Sequence, residues 1–290
     1  MRSNDMWIYR FVVIILALVS ATTVVKAQSP QPSPTPSASP TLERQFFKNI
    51  LRDQKAIWTS PFHLEKSDAR WLVPLGLGTA ALIATDRTTA KEVTEFDDQL
   101  DASRVISYPG STYGAAVAGA VFYIAGRAHH DARARETGLL SLEALIDSEL
   151  VVLPLKAIAG RQRPLEIHRG DFFRGGTSFP SGHAIHAWSV ATVVANEYSD
   201  HRIVQVTAYG VAAAVSLARL TGEKHFLSDI LVGSAMGYGI GRYAYHAHHH
   251  AGPNAGGEEE ESRAEHHWPA IVPMYDRHAH DYGVTLAWSF

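Results

Sequence analysis

PSGHAIHAWSVATVVANE, residues 180–197, opens with a proline, a hydroxyl, a glycine and a histidine, then runs through small and apolar residues without a full charge until Glu197. Ser181 stands where a helix N-cap is expected, and Gly182 lets the backbone approach a ligand closely. The stretch therefore reads as a helix with a polar mouth and an apolar body. Working outward, segments of the same kind, rich in Ala, Gly, Leu and Val, occupy 71–85, 113–126, 138–160, 204–218 and 230–245. Long alternating strands are absent before the C-terminus. The expected fold is all-α: a bundle of about six core helices, preceded by an amphipathic helix and followed by a short C-terminal β-hairpin or strand.

Two more polar stretches sit at the mouths of neighbouring segments. KAIAGRQRP (156–164) places Lys156 and Arg163 two turns apart, on nearly the same side if the helix runs on to Pro164, which then ends it. An array of phosphoryl oxygens needs fixed cations, and an arginine fork offers paired N–H groups that lysine lacks. In RLTGEKHFLSD (219–229), Arg219 is followed by His225 and Asp229, whose four-residue step puts them on one helix face. A carboxylate on one imidazole nitrogen fixes the tautomer and raises the basicity of the other, as a nucleophilic histidine requires. In the central stretch, the free N–H groups of a helix N-terminus suit an anion, and His183 stands close enough to exchange a proton. Each stretch alone has an ordinary reading: a basic helix C-terminus, a capped helix, a surface ion pair.

Together, KAIAGRQRP, PSGH and ARLTGEKHFLSD resemble the three-part signature K-x6-RP, PSGH, SR-x5-H-x3-D of the type 2 phosphatidic acid phosphatase and vanadium haloperoxidase superfamily, on its phosphatase branch. The resemblance covers about residues 71–245. It implies that Lys156, Arg163 and Arg219 hold the phosphate oxygens, aided by Ser181 and the Gly182 N–H. His225 is the implied nucleophile, Asp229 orients it, and His183 is the general acid and then base. It implies a phosphohistidine intermediate and no metal or other cofactor, with vanadate acting as an inhibitor. The implied substrates are phosphomonoesters or diphosphates, above all lipid phosphates such as phosphatidate or a polyprenyl diphosphate. Ala218 departs from the pattern, standing where the family has serine; since every charged member is present, altered efficiency is expected rather than inactivity. Two other readings use the same residues differently. One is a vanadium haloperoxidase with vanadate as cofactor; the other is a non-catalytic envelope protein with a metal-binding, histidine-rich tail.

Other residues near these stretches have simpler readings. His186, one turn after His183, is expected to be a hydrogen-bonded structural histidine, outside the site. Phe172, Phe173 and Phe179 are expected to pack in the core. Arg161 and Arg169 either widen the positive field or are solvated.

Composition narrows the alternatives. The net charge of −3 is dispersed, so nucleic acid is not an expected partner, and the lack of cysteine excludes disulfides, thiol nucleophiles and thiolate metal sites. A hydrophobic content of 46% over 290 residues suffices for a substantial core.

The remaining segments divide the chain. Residues 1–27 read as an export signal, with Arg2 and Arg10 ahead of an uncharged run from Phe11 to Val25. Residues 28–41 are a Pro/Ser-rich spacer, and 42–70 an amphipathic helix and lead-in, its stripe of Leu42, Phe46, Phe47, Ile50 and Leu51 docking on the domain. The catalytic domain is placed at 71–246, a His/Glu/Gly-rich linker at 247–268 and a strand segment at 269–290, where Tyr282, Val284, Leu286, Trp288 and Phe290 alternate with smaller residues. This strand is expected to pair with Ile271–Met274 and pack on the bundle. The protein is expected in the periplasm or on the periplasmic face of the envelope, as a soluble bundle or one attached at the membrane surface. Segments uninterrupted for only about 14 to 17 residues are short for membrane spans, and Glu143, Asp147 and Glu149 inside one of them would be costly in lipid.

Overall fold

The computed structural model describes residues 42–92, 97–249, 270–276 and 281–287. The expected export signal and spacer, most of the linker, and Trp288 and Phe290 lie outside these residues. The chain divides into two compact units, 1–252 and 253–290.

The first unit is helical: α1 Leu42–Thr59, α2 Ala69–Glu92, α3 Asp97–Ile106, α4 Thr112–Ala128, α5 Ala132–Ala159, α6 Gly182–Glu197, α7 Arg202–Thr221 and α8 Leu227–His248. Short 3-10 turns occupy Ser60–Phe62 and Tyr108–Gly110. The six apolar segments correspond to α2 and α4–α8 but are longer than their uninterrupted apolar runs, at 16 to 28 residues. Polar residues at their ends, such as Arg202 and Thr221 of α7, continue the helix beyond the apolar stretch, so the length argument against lipid no longer holds for α7, while α4 and α6, at 17 and 16 residues, stay short of a span. By length and composition, α7 is the described helix able to cross a membrane. The fully helical α3 was not anticipated.

The core lies where α5, α6 and α8 meet: Leu140, Ala144, Val151 and Val152 pack with Ile185, Val193, Ile240 and Ala244. Burying side chains of the Val, Leu and Ile class stabilises by about 1.5–3 kcal/mol each. The α6–α8 contact is unusually close because α8 presents glycines at four-residue intervals. A Cβ at Gly233 would stand 2.7 Å from the Ser181 carbonyl oxygen, and one at Gly237 would stand 2.3 Å from that of Ile185. Only bare backbone fits there, and this approach carries the start of α6 against the start of α8, where the Ser181 N–H donates to the Asp229 carbonyl oxygen at 3.0 Å.

Helix α1 docks on α5 and α8 through only part of the expected apolar stripe, together with polar residues beside it. Leu42 and Ile50 are buried together with Asn49 and Asp53, whereas Phe47 and Leu51 are exposed. Polar partners decide this rotation. Asn49 donates to Glu143 at 3.1 Å, Gln54 to Asp147 at 2.9 Å, and His248 Nε2 meets the Asp53 carboxylate at 2.8 Å. Glu143 and Asp147 thus face protein, and burial pushes each up to about 7. Their presence in α5 carries no weight against a lipid environment around the bundle.

In the second unit, β1 Ala270–Asp276 and β2 Asp281–Ala287 pair antiparallel, with Ile271 opposite Leu286 and Met274 opposite Gly283.

Candidate active site

All three polar stretches converge at one end of the bundle, at the C-termini of α5 and α7 and the N-termini of α6 and α8. Lys156 lies in the last turn of α5, which stops at Ala159 because Gly160 adopts a left-handed conformation, φ 51°. The helix therefore ends before Pro164, and Lys156 and Arg163 do not share a helix face. Arg163 comes instead from the irregular segment beyond the cap. Both cations reach the same residue: Lys156 Nζ donates to the Thr177 carbonyl oxygen at 2.7 Å, and Arg163 Nη2 to Thr177 Oγ1 at 3.2 Å. Arg163 Nε is buried without a hydrogen bond.

Ser181 occupies the N-cap position of α6 without making the expected side-chain cap. Its hydroxyl is fully buried and has no hydrogen-bond partner. Gly182 lies against Lys156, whose Cε would stand 3.6 Å from an added Cβ. One turn on, His186 behaves as expected of a structural histidine, with Nδ1 at 3.2 Å from the Gly110 carbonyl oxygen. Arg219, in the last turn of α7, donates to Ser107 Oγ at 3.2 Å, and its Nε is also buried without a partner.

His225 precedes α8 rather than lying on it, since the helix begins at Leu227 with Phe226 as N-cap. The expected shared helix face with Asp229 is therefore absent. Nδ1 of His225 instead meets the Ser178 carbonyl oxygen at 2.7 Å, while Asp229 Oδ2 stands 3.6 Å away. A carbonyl only accepts, so Nδ1 carries the proton and Nε2 keeps its lone pair. Asp229 Oδ2 accepts from Ser178 Oγ at 2.5 Å and from the Phe226 N–H at 2.9 Å, and Oδ1 from Arg161 at 2.6 Å. The carboxylate fastens the loop that holds the imidazole.

Arg161, expected to widen the field or be solvated, is buried at 1% exposure. Its guanidinium donates to Asp229, to Ser228 Oγ at 2.7 Å and to Asp86 of α2 at 2.8 Å, lying over the rings of Phe226 and Phe172. Sequence reasoning missed Asp86, Ser178 and this role of Arg161. The signal for Arg161 was present, since it lies inside KAIAGRQRP; a backbone acceptor such as the Ser178 carbonyl leaves no mark in residue identity.

Electrostatics ties the pieces together. Burial, with Arg163 and Arg219 nearby, brings Lys156 down to about 8. Burial and Arg163 lower Arg219 to about 10. Burial, reinforced by Arg219 and His225, lowers His183 to about 3. Burial lowers His225 to about 4, against the opposing pull of Asp229. Burial works against the charge on Asp229, yet His225, Arg161 and Ser178 hold its carboxyl below the ordinary value. Three cations that disfavour one another around two neutral imidazoles make a pocket suited to an anion.

Residues 137–253 match the family model of the PAP2 superfamily. Over these residues, the chain is similar to the PAP2 superfamily. The match spans α5 from Thr137 through the end of α8, and so all three PAP2 signature stretches. A lipid A 1-phosphatase from Porphyromonas gingivalis is 35% identical over 69 residues, which are 23% of this chain and 16% of that protein. The chain thus matches about one sixth of that relative's length. The crystal structure of the first transmembrane PAP2 type phosphatidylglycerolphosphate phosphatase from Bacillus subtilis aligns over 61% of this chain and 95% of its own, at 22% identity and a TM-score of 0.48.

Proposed function

We propose that this chain is a phosphatase that hydrolyses phosphomonoesters or diphosphates of lipids through a phosphohistidine on His225, without a metal. The observation that carries the reading is the Ser178 carbonyl holding His225 Nδ1–H at 2.7 Å, which leaves Nε2 as the unprotonated, nucleophilic nitrogen of an imidazole that lies within the electrostatic reach of Lys156 and Arg219.

In the proposed mechanism, Lys156, Arg163 and Arg219 bind the phosphoryl oxygens, with Ser181 Oγ–H and the Gly182 N–H completing the cradle. The unpartnered donors Arg163 Nε, Arg219 Nε and Ser181 Oγ are those that a phosphate would satisfy. Binding this anion offsets the cations and raises His183, so that the imidazole holds a proton when the ester is in place. His225 Nε2 attacks phosphorus, the P–O bond to the leaving alcohol breaks, and that oxygen takes the proton from His183. Water then attacks the phosphohistidine as His183 accepts its proton, the P–N bond breaks, and phosphate leaves. The cations do the charge stabilisation that metal ions do in other phosphoryl-transfer sites.

Support for a lipid substrate comes from the lipid A 1-phosphatase relative and from exposed apolar side chains around the bundle, including Trp71 and Leu77 on α2 and Ile203, Val206 and Leu217 on α7. We place the catalytic segment at 71–246, exported to the periplasmic side of the envelope and associated with lipid. Steady-state hydrolysis of phosphatidate in mixed micelles, set against a water-soluble phosphomonoester, tests the substrate class. Equal kcat/KM for the two would overturn the lipid assignment.

A further inference from the structure

Helix α2 leaves its apolar side chains largely outside the bundle: Trp71, Leu72, Val73 and Leu77 are all exposed. Among the described residues of this helix, the buried one is Asp86, at 2% exposure. A peripheral helix ordinarily buries its apolar stripe and leaves its charges in water. Burying a carboxylate is costly unless it is paired and hydrogen-bonded, so Asp86 is placed there for what it holds.

Its grip is on the start of α8. Asp86 Oδ1 accepts from the Ser228 N–H at 3.3 Å, and Oδ2 accepts from Ser228 Oγ and, at 2.8 Å, from Arg161 Nη2. Ser228 lies three residues after His225, in the first turn of α8, where a negative charge is favourable on the free N–H groups. The other arm of the same guanidinium, Nη1, donates to Asp229 Oδ1 at 2.6 Å and to Ser228 Oγ at 2.7 Å. Asp229 Oδ2 in turn accepts from the hydroxyl of Ser178, the residue whose carbonyl holds His225 Nδ1. Arg161 and both carboxylates are buried, so water does not replace a contact that is lost.

We propose that Asp86 is a positioning residue for phosphoryl transfer: from α2 it fixes Arg161 and the first turn of α8, and through them the loop that holds His225. The inference rests on the reading of His225 as the nucleophile. Asp86 lies outside the segment 137–253 that matches the family model. Its hydrogen bonds go to Arg161 and Ser228 and not to Lys156, Arg163 or Arg219. Loss of its charge therefore disturbs the attacking imidazole and spares the cations that bind the anion.

The full chain is compared with Asp86→Asn, Ser228→Ala and, as a control at the same end of α2, Arg87→Ala, whose ion pair with Asp171 lies at the surface. Steady-state hydrolysis of a soluble phosphomonoester, inhibition by inorganic phosphate, and single turnovers with enzyme in excess are measured. The single-turnover rate reports the chemical step whatever fraction of the enzyme is folded. Asp86→Asn is expected to slow it and kcat by about tenfold to a hundredfold, with KM and the phosphate inhibition constant within about twofold of wild type. Ser228→Ala, which keeps both ion pairs of Arg161, is expected to be slowed several-fold, and Arg87→Ala to match the wild type. If Asp86→Asn does not fold, Ser228→Ala decides. A wild-type single-turnover rate in the folded variant overturns the role of Asp86, as does an equal loss in Arg87→Ala or a rise in the phosphate constant that accounts for the whole effect. Failure of the nucleophile reading is seen separately, as absence of phosphoryl label on His225 in the wild type.

Discussion

His225 Nδ1 is held by the carbonyl oxygen of Ser178 at 2.7 Å, while the Asp229 carboxylate stands 3.6 Å away and is engaged by other donors. The tautomer of the proposed nucleophile therefore rests on a backbone acceptor, and Asp229 acts on the loop around it. Asp229→Asn is expected to lower kcat by less than the roughly 10⁴-fold seen where an aspartate itself fixes the tautomer and to leave measurable turnover, whereas His225→Ala abolishes it. Steady-state kinetics on both variants checks this; equal losses would show that Asp229 fixes the tautomer directly.

Ser181 stands at a helix N-cap without capping it. If its hydroxyl serves the phosphate, Ser181→Ala removes a hydrogen bond to a charged group, worth about 1.5–3 kcal/mol, and kcat/KM falls about tenfold to a hundredfold. Thermal stability should be unchanged. A serine cap would give the reverse pattern, a stability loss of about 1 kcal/mol with kinetics intact. Paired denaturation and kinetic measurements separate the two.

Lys156 is lowered to about 8 by burial and by Arg163 and Arg219, so its charge is present below that pH and lost above it. Affinity for a phosphate dianion then falls as pH rises through about 8, and kcat/KM, which reports the free enzyme, shows an alkaline limb there. In Lys156→Arg, that limb is expected to move upward by more than one pH unit. A limb unmoved by the substitution would assign it to another group.

Much of this arrangement was legible in the chain. The apolar body of 183–197 and the Ala- and Gly-rich segment 230–245 read as packed helices, and the charged residues of the three stretches lie together at one end of them. What the sequence hid has physical reasons. Gly160 ends α5 through a backbone angle, which the later Pro164 masked, so Arg163 was placed on a helix it does not join. His225 was placed on a helix with Asp229 because spacing alone does not reveal that α8 begins two residues later. Only part of the α1 stripe docks, Leu42 and Ile50 being buried and Phe47 and Leu51 exposed, because hydrogen bonds of Asn49, Gln54 and Asp53 set the rotation of the helix. Asp86 lies far from the motifs in sequence and is joined to them through Arg161 and Ser228.

Arg161 offers a stability test distinct from the kinetic ones. It is paired with Asp86 and Asp229 at 1% exposure or less on every partner. Arg161→Met leaves two buried carboxylates uncompensated and is expected to destabilise by about 3–5 kcal/mol. Urea denaturation measures it, and a change under 1 kcal/mol would show that the network does not hold the loop.

The central claim, that phosphorus is transferred to His225, is tested most directly by rapid quench of the enzyme with substrate labelled in its phosphoryl group, followed by peptide mapping under alkaline conditions that preserve phosphohistidine. The account predicts label on His225 in the wild type and none in His225→Ala, which is also inactive. Full hydrolysis by His225→Ala, or label on another residue, would contradict it.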